Sequence, residues 1–265
     1  MTNKNKSNLP LISFIFFIIT IIINYTANSG VLGQTQREIS DMYRNFITPE
    51  SFTFSIWGVI YLLVLISLIY QLYVRYKKEN YNPNMDKFNI LFILTSIYNI
   101  LWNMFWVMDN ILISSIFILA LAIVLAMINT DLKGKNLTGM EKIFPIAFSI
   151  YAGWLAVATV TNVAALLVKY NWNMFGLEEY VMTIITYFVV AALAFFIIIN
   201  LRNPLYNLPI IWAFIGIRST LINNPPGQTH EFMEYAIYGV IVLLVLQMIY
   251  VFFKNDKNLL PIYNR

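Results

Sequence analysis

Eight stretches of the chain are apolar nearly throughout and long enough, or nearly so, to cross a bilayer. They are Leu9–Asn28, Phe52–Tyr73, Phe88–Met108, Ile111–Asn129, Ile143–Val168, Tyr180–Asn200, Leu205–Ile222 and Phe232–Phe253. A helical span needs about 20 predominantly apolar residues to cross ~30 Å of hydrocarbon. The expected fold class is therefore an all-α membrane protein, a polytopic helical bundle of about eight transmembrane helices. The seventh stretch is the least regular, since Pro209 interrupts it and Arg218 lies inside it. The third and fourth are separated only by Asp109 and Asn110, which predicts a tight helical hairpin.

Polar residues collect between these stretches. The longest connector before the later spans is Gly30–Thr48, with Gln34, Gln36, Arg37, Glu38, Asp41 and Arg44. Two readings are open for it: a helical turn that covers the mouth of a bundle, or a solvated connector. The segments Lys77–Lys87 and Asp131–Lys142 are short and basic, and Asn223-Asn224-Pro225-Pro226-Gly227 reads as a turn. Asn136-Leu137-Thr138 fits a glycosylation sequon, but it falls on the side assigned below to the cytoplasm.

Composition agrees with lipid as the solvent. Hydrophobic residues make up 59% and charged residues 11%, against roughly 25% charged in a soluble domain. A chain this apolar has too little polar surface to cover itself in water, whereas a lipid-facing surface stays apolar. The 17 Tyr and 6 Trp suit two membrane interfaces. With the N-terminus inside, Lys4, Lys6, Arg75, Lys77, Lys78, Lys87, Lys133, Lys135, Lys142, Arg202, Lys254, Lys257 and Arg265 all fall inside, 13 of the 17 basic residues. Arg37, Arg44, Lys169 and Arg218 fall outside. The positive-inside rule thus selects N-in/C-in. Lys4 and Lys6 before an apolar run ending at Ala27-Asn28-Ser29 also fit a cleavable signal peptide, which would leave the other spans unchanged. There is no Cys, hence no disulfide, thiol nucleophile or thiolate metal site. No nucleic-acid motif or Gly-rich phosphate loop is found.

Within the spans, polar and aromatic residues recur at helical spacing. Asn99, Trp102, Asn103 and Trp106 share an arc of roughly 100° on the third span. Tyr151, Trp154, Ala158, Thr161, Asn162 and Ala165 share a face of the fifth, and Phe54, Trp57 and Tyr61 a face of the second. An amide in hydrocarbon costs free energy unless it finds a partner, so these faces point into the bundle. On one reading they converge on an aromatic cavity with a few amide hydrogen-bonders, suited to a flat, largely apolar ligand. On the other they are helix–helix packing, with Asn as interhelical glue and aromatic rings as interface anchors.

The same residues carry a family resemblance. Trp154-Leu155-Ala156-Val157-Ala158-Thr159-Val160-Thr161-Asn162 resembles the fifth-helix signature of the TspO/translocator-protein (tryptophan-rich sensory protein) family, and Asn99-Ile100-Leu101-Trp102 with Phe105 and Trp106 resembles its third-helix Asn-x-x-Trp. Pro49 with Trp57-Gly58-Val59-Ile60-Tyr61 resembles its second-helix start. The motifs occur in the family's order and cover about Leu9–Val168. The chain departs at Thr48 and Ser51, where the family has a Pro pair and a nearby Trp, and at Ala165 and Leu166, where it has a further Trp. The resemblance implies a five-helix bundle over 1–170, followed by a three-helix extension over 171–265 packed in the membrane. It also implies a receptor or sensor that binds a porphyrin-like or sterol-like ligand, with Trp57, Tyr61, Asn99, Trp102, Asn103, Trp106, Tyr151, Trp154, Ala158 and Asn162 around it.

Arg218 is the clear charge within a span; it either anchors a ligand carboxylate or pairs with an acid on its own side, such as Glu231 or Glu234. His230 is the sole histidine, which with no Cys argues against a transition-metal site. No Ser–His–acid set stands in a persuasive context, so no enzyme and no cofactor is expected. The partners expected are membrane lipid and a hydrophobic small molecule, with a porphyrin as the leading case; a homodimer is allowed and nucleic acid is not expected. A transporter or permease component and a structural or assembly protein are the competing functions. The apolar, Asn- and Ile-rich composition fits a prokaryotic AT-rich genome, and in a bacterial or archaeal cell the charge asymmetry implies the cytoplasmic membrane.

Overall fold

The computed structural model describes residues 7–31, 33–77, 85–133, 135, 137–224, 227 and 230–260. Lys4, Lys6, Lys78, Arg265, Asn136, Pro225 and Pro226, on which parts of the charge, sequon and turn readings fall, lie outside the described residues. Those described form α-helices joined by short 3-10 turns and loops, with no strand among them. The helices are α1 (Leu9–Asn28), α2 (Gln36–Met42), α3 (Ile56–Lys77), α4 (Asp86–Val107), α5 (Ile111–Lys133), α6 (Ile143–Lys169), α7 (Glu179–Leu201), α8 (Asn207–Asn223) and α9 (His230–Lys254). All but the short α2 belong to segments long and apolar enough to span a membrane, and these number eight. The chain is a multi-pass integral membrane protein.

The helix ends follow from local chemistry. Pro10 sits in the first turn of α1, where a missing N–H costs nothing. The α4–α5 hairpin turns at Asp109, with φ of 57°, as the two-residue gap requires. The second span begins with a 3-10 turn over Ser51–Ser55, and the α-helix proper starts only at Ile56. Pro209 does not interrupt the seventh span. It lies in the first turn of α8, after the 3-10 turn Pro204–Tyr206, where its lack of a donor is harmless.

α4 packs between α1 and α5; α6 packs on α5 and α3; α8 packs on α6 and α9; and α7 packs on α9. In lipid the hydrophobic effect does not drive helices together, so close packing and interhelical hydrogen bonds hold them. Several seams carry such a bond. Ser13 Oγ donates to Asn89 Oδ1 at 2.9 Å between α1 and α4, and Ser149 Oγ to Asn129 Oδ1 at 2.9 Å between α6 and α5. Asn207 Nδ2 donates to Gln247 Oε1 at 3.0 Å between α8 and α9, and Gln247 in turn to the Ala191 carbonyl of α7 at 3.1 Å. Large apolar side chains such as Ile116, Leu119 and Ile123 of α5 face outward, as they do toward acyl chains.

The tightest backbone approach is at Gly153 of α6. A β-carbon there would lie 2.0 Å from the Tyr206 carbonyl oxygen and 2.7 Å from Pro209 Cγ. Gly153→Ala must push α6 and α8 apart and is expected to destabilise the protein by about 3 kcal/mol. Thermal unfolding in detergent, with Gly58→Ala as the control where nothing lies within 4 Å, measures this.

Candidate functional site

Trp57 of α3 is the hub of an aromatic cluster. Its ring stacks on Tyr61, one turn on, at 5.3 Å and 26°, and lies 6.0 Å from Trp102 of α4. Tyr151 and Trp154 of α6 meet it edge-on at 5.8 and 6.3 Å. Phe54 closes on Trp154 from the 3-10 turn at 6.1 Å and 86°. These are the separations and tilts aromatic pairs prefer.

A cavity of about 460 Å³ opens beside this cluster, within the usual range for small-ligand sites. Trp57, Trp102, Trp106, Trp154, Ala158 and Asn162 line it, joined by Phe54, Val157 and Thr161. Pro49, Ser51 and Phe52 form a second wall, and Asn28 with Gln36, Arg37 and Ser40 of α2 form the roof. The structure thus brings six of the sequence-derived residues to the cavity. Ser51, standing where the related family has a Trp, is part of its wall.

Tyr61, Asn99, Asn103 and Tyr151 sit behind that lining. Asn24 of α1 donates to Asn99 Oδ1 at 2.7 Å, and Asn103 donates to Asn24 Oδ1 at 3.0 Å. Asn103 also reaches the Asn99 carbonyl at 3.0 Å, and Asn99 donates to the Tyr151 hydroxyl at 3.0 Å. The knot ties α1, α4 and α6 together, and both α4 amides are fully buried. Asn162 has two attachments: it lines the cavity, but its amide accepts from Ser115 Oγ at 2.6 Å and donates to Ser114 Oγ at 3.2 Å, joining α6 to α5. Among the described residues, the indole N–H groups of Trp102 and Trp154 have no hydrogen-bond partner.

Arg218 is not among the residues that line the cavity. Its guanidinium pairs with Glu234 of α9 at 2.7 Å and lies 5.1 Å from the Tyr238 ring centre. Glu234 also accepts from the Tyr238 hydroxyl at 3.0 Å, so the charge is matched within the α8–α9 seam.

Within the Gly30–Thr48 connector, Gln36–Met42 forms a short covering helix, not merely a solvated link. Thr35 caps α2 by accepting from the Glu38 N–H, while Glu38 accepts from the Thr35 N–H at 2.7 Å. This is the capping box that Thr-x-x-Glu encodes. Ile39 is fully buried in a small apolar cluster with Ala27, Trp106 and Ile111. Trp106 Nε1 donates to the Gln36 carbonyl at 3.1 Å, and Tyr43 donates to Asp109 Oδ1 at 2.8 Å, where Lys169 also binds at 2.8 Å. Trp106 is therefore at once cavity wall and anchor of the roof. Ala165, where the related family has a Trp, packs in the cluster beneath Ile39 and Tyr43.

Asn24 and Asn28 were not singled out as site residues by sequence pattern, and α2 was expected only as one of two readings of its connector. The signal for the first two is the four-residue spacing of Thr20, Asn24 and Asn28 along an otherwise apolar span. For α2 it is the capping box itself.

Asn99→Ala is expected to cost about 2 kcal/mol, because Asn24, Asn103 and Tyr151 would each lose a buried partner; chemical or thermal unfolding in detergent reads it. A second expectation concerns pH. The Thr35 backbone N–H, and secondarily its hydroxyl, hold the Glu38 carboxyl below the ordinary glutamate range. The cap is thus intact above the unfolded-state pKa and is lost as pH falls through the lower folded value. Protection of the α2 amides, taken relative to their intrinsic exchange at each pH, should fall on acidification below the ordinary glutamate range, and Glu38→Gln should flatten that fall.

The comparisons with known proteins point the same way. No curated protein matches the chain, and no solved structure does. A family model described as TSPO-like protein matches residues 10–253, running through all eight spans and beyond the motif-bearing part that ends near Val168. With that match laid over the aromatic cavity and the helices that frame it, the chain belongs to the TSPO-like family.

Proposed function

We propose that this protein is a membrane receptor or sensor that binds a flat, largely apolar ligand, porphyrin-like or sterol-like, in the cavity between α3, α4 and α6. One observation carries the reading: four of the six Trp residues, Trp57, Trp102, Trp106 and Trp154, surround one cavity of about 460 Å³. Indole faces offer large rigid contact area to a flat ring system. Arg37, the charged residue of the lining, stands at the roof beside Asp41 at 3.5 Å.

The site has the form of a binding pocket rather than of a catalytic centre, since its polar groups are amides, hydroxyls and one ion-paired guanidinium. Transport by way of a substrate anchor in α8 has less support, because Arg218 is already matched by Glu234. The basic residues favour N-in/C-in insertion in a cytoplasmic membrane, which puts α2 and the cavity mouth on the outer face.

The test is a titration of detergent-purified protein with protoporphyrin IX, following tryptophan quenching. Saturable quenching is expected. Trp154→Ala should weaken it about tenfold, and Trp154→Phe, which keeps an edge-on ring against Trp57, by less. Quenching that does not saturate, or that ignores both substitutions, rejects a porphyrin ligand at this site.

A further inference from the structure

We infer that α7 and α8 position one wall of the aromatic cavity, and that Trp212 and Gly216 of α8 are positioning residues for ligand binding. The wall in question is residues 46–55, the irregular segment between α2 and α3. Pro49, Ser51, Phe52 and Phe54 of that segment line the cavity. The segment is irregular up to Glu50 and 3-10 from Ser51 to Ser55, so its own hydrogen bonds do not satisfy every backbone group, and neighbouring protein must meet the rest.

The neighbours that meet them belong to α7 and α8. The buried Tyr187 of α7 donates its hydroxyl to the Phe46 carbonyl at 2.7 Å. Trp212 Nε1 donates to the Thr53 carbonyl at 2.9 Å. The Glu50 N–H donates to the Gly216 carbonyl at 3.2 Å. Three hydrogen bonds to the backbone thus fix the segment near its start, middle and end. Side chains add to this: the Phe52 ring stands edge-on to Trp212 at 5.5 Å and 84°.

Gly216 sets how close the wall sits. A β-carbon there would lie 2.0 Å from Thr53 Oγ1 and 3.0 Å from Thr53 Cβ. Thr53 is fully buried, with its hydroxyl donating to the Glu50 carbonyl at 2.6 Å, so it has nowhere to retreat. Any side chain at 216 must move residues 50–54 away from α8. Phe54 and Phe52 would move with them, and Phe54 meets Trp154 at 6.1 Å. The mouth of the cavity is therefore set by helices that contribute none of its motif residues.

The binding arm of the test rests on the ligand reading above; the exchange arm does not. Full-length Gly216→Ala, Trp212→Phe and the double variant Gly216→Ala/Thr53→Ala are purified in detergent beside the unsubstituted protein. Hydrogen exchange at the Glu50 and Thr53 amides is expected to quicken by about tenfold in Gly216→Ala, with the Met108–Asn110 turn as an unchanged control. Trp212→Phe keeps one aromatic ring near Phe52 while losing the N–H and part of the indole's volume, and should give a smaller rise in the same peptide.

In the protoporphyrin IX titration, Gly216→Ala should bind about tenfold more weakly and Trp212→Phe about threefold. Removing the Thr53 side chain in the double variant should recover most of the Gly216→Ala loss. A merely structural defect would lower the unfolding temperature without that recovery. Unchanged exchange in residues 46–55 overturns the inference, as does a Gly216→Ala affinity loss that Thr53→Ala leaves in place. Wild-type protein that shows no saturable quenching sinks the ligand reading, while the exchange arm still decides the clamp.

Discussion

The structure depends on one constraint: an amide buried among lipid-facing helices must find its partner on another helix. α1 has no aromatic motif and little to distinguish it from a plain apolar span, yet Asn24 places it. Its amide both donates and accepts, to Asn99 and from Asn103. Because Asn99 then passes its own N–H to Tyr151, the angular positions of α1, α4 and α6 are set together. The energy of each such bond is small, about 0.6 kcal/mol on average in a membrane interior. Its directional effect is larger, because rotating any one helix would strand several donors at once. The aromatic residues three positions further along α4 from each amide, Trp102 after Asn99 and Trp106 after Asn103, are thereby turned to the cavity.

This resolves the two readings of the polar faces by dividing them. Asn99, Asn103 and Tyr151 act as interhelical glue and lie behind the lining. Trp57, Trp102, Trp106 and Trp154 form the wall. Asn162 belongs to both groups, since its amide is spent on Ser114 and Ser115 while its surface faces the cavity. Substitutions on the two sets should therefore separate stability from binding, with Asn162 moving both.

Much of this was legible in the sequence, for definite reasons. Spans are set by length and hydropathy, which is why α1 was expected at Leu9–Asn28, the limits it has. Helical faces follow from three- and four-residue spacing, so the α3, α4 and α6 contributions to the site could be named. What spacing cannot give is the contribution of chain far away in sequence. The roof from α2 and the clamp from α8 arise through pairs such as Trp106 with Gln36, 70 residues apart, and Trp212 with Thr53, 159 apart. Pro209 was misleading for a different reason: a proline interrupts a helix only past its first turn, and α8 starts just before it. The motif resemblance ended near Val168 because the motifs sit on the cavity-facing helices, whereas the family match extends to residue 253.

The cavity is consequently bounded by two different kinds of wall. The α4 and α6 faces are regular helix, internally satisfied, and held by the buried amides. The roof and the 46–55 wall are not held by those amides, and each hangs on a few bonds from elsewhere. α2 is fixed by Trp106 and by Tyr43 on Asp109; residues 46–55 are fixed by Tyr187, Trp212 and Gly216. Segments with few buried contacts open at lower free-energy cost than packed helices. A ligand would have to enter past one of these two, not between α4 and α6. Trp106 contacts the roof, and Phe54 joins the second wall to Trp154. The indole cluster is thus the point at which the two helix-built faces meet both of the walls held from elsewhere.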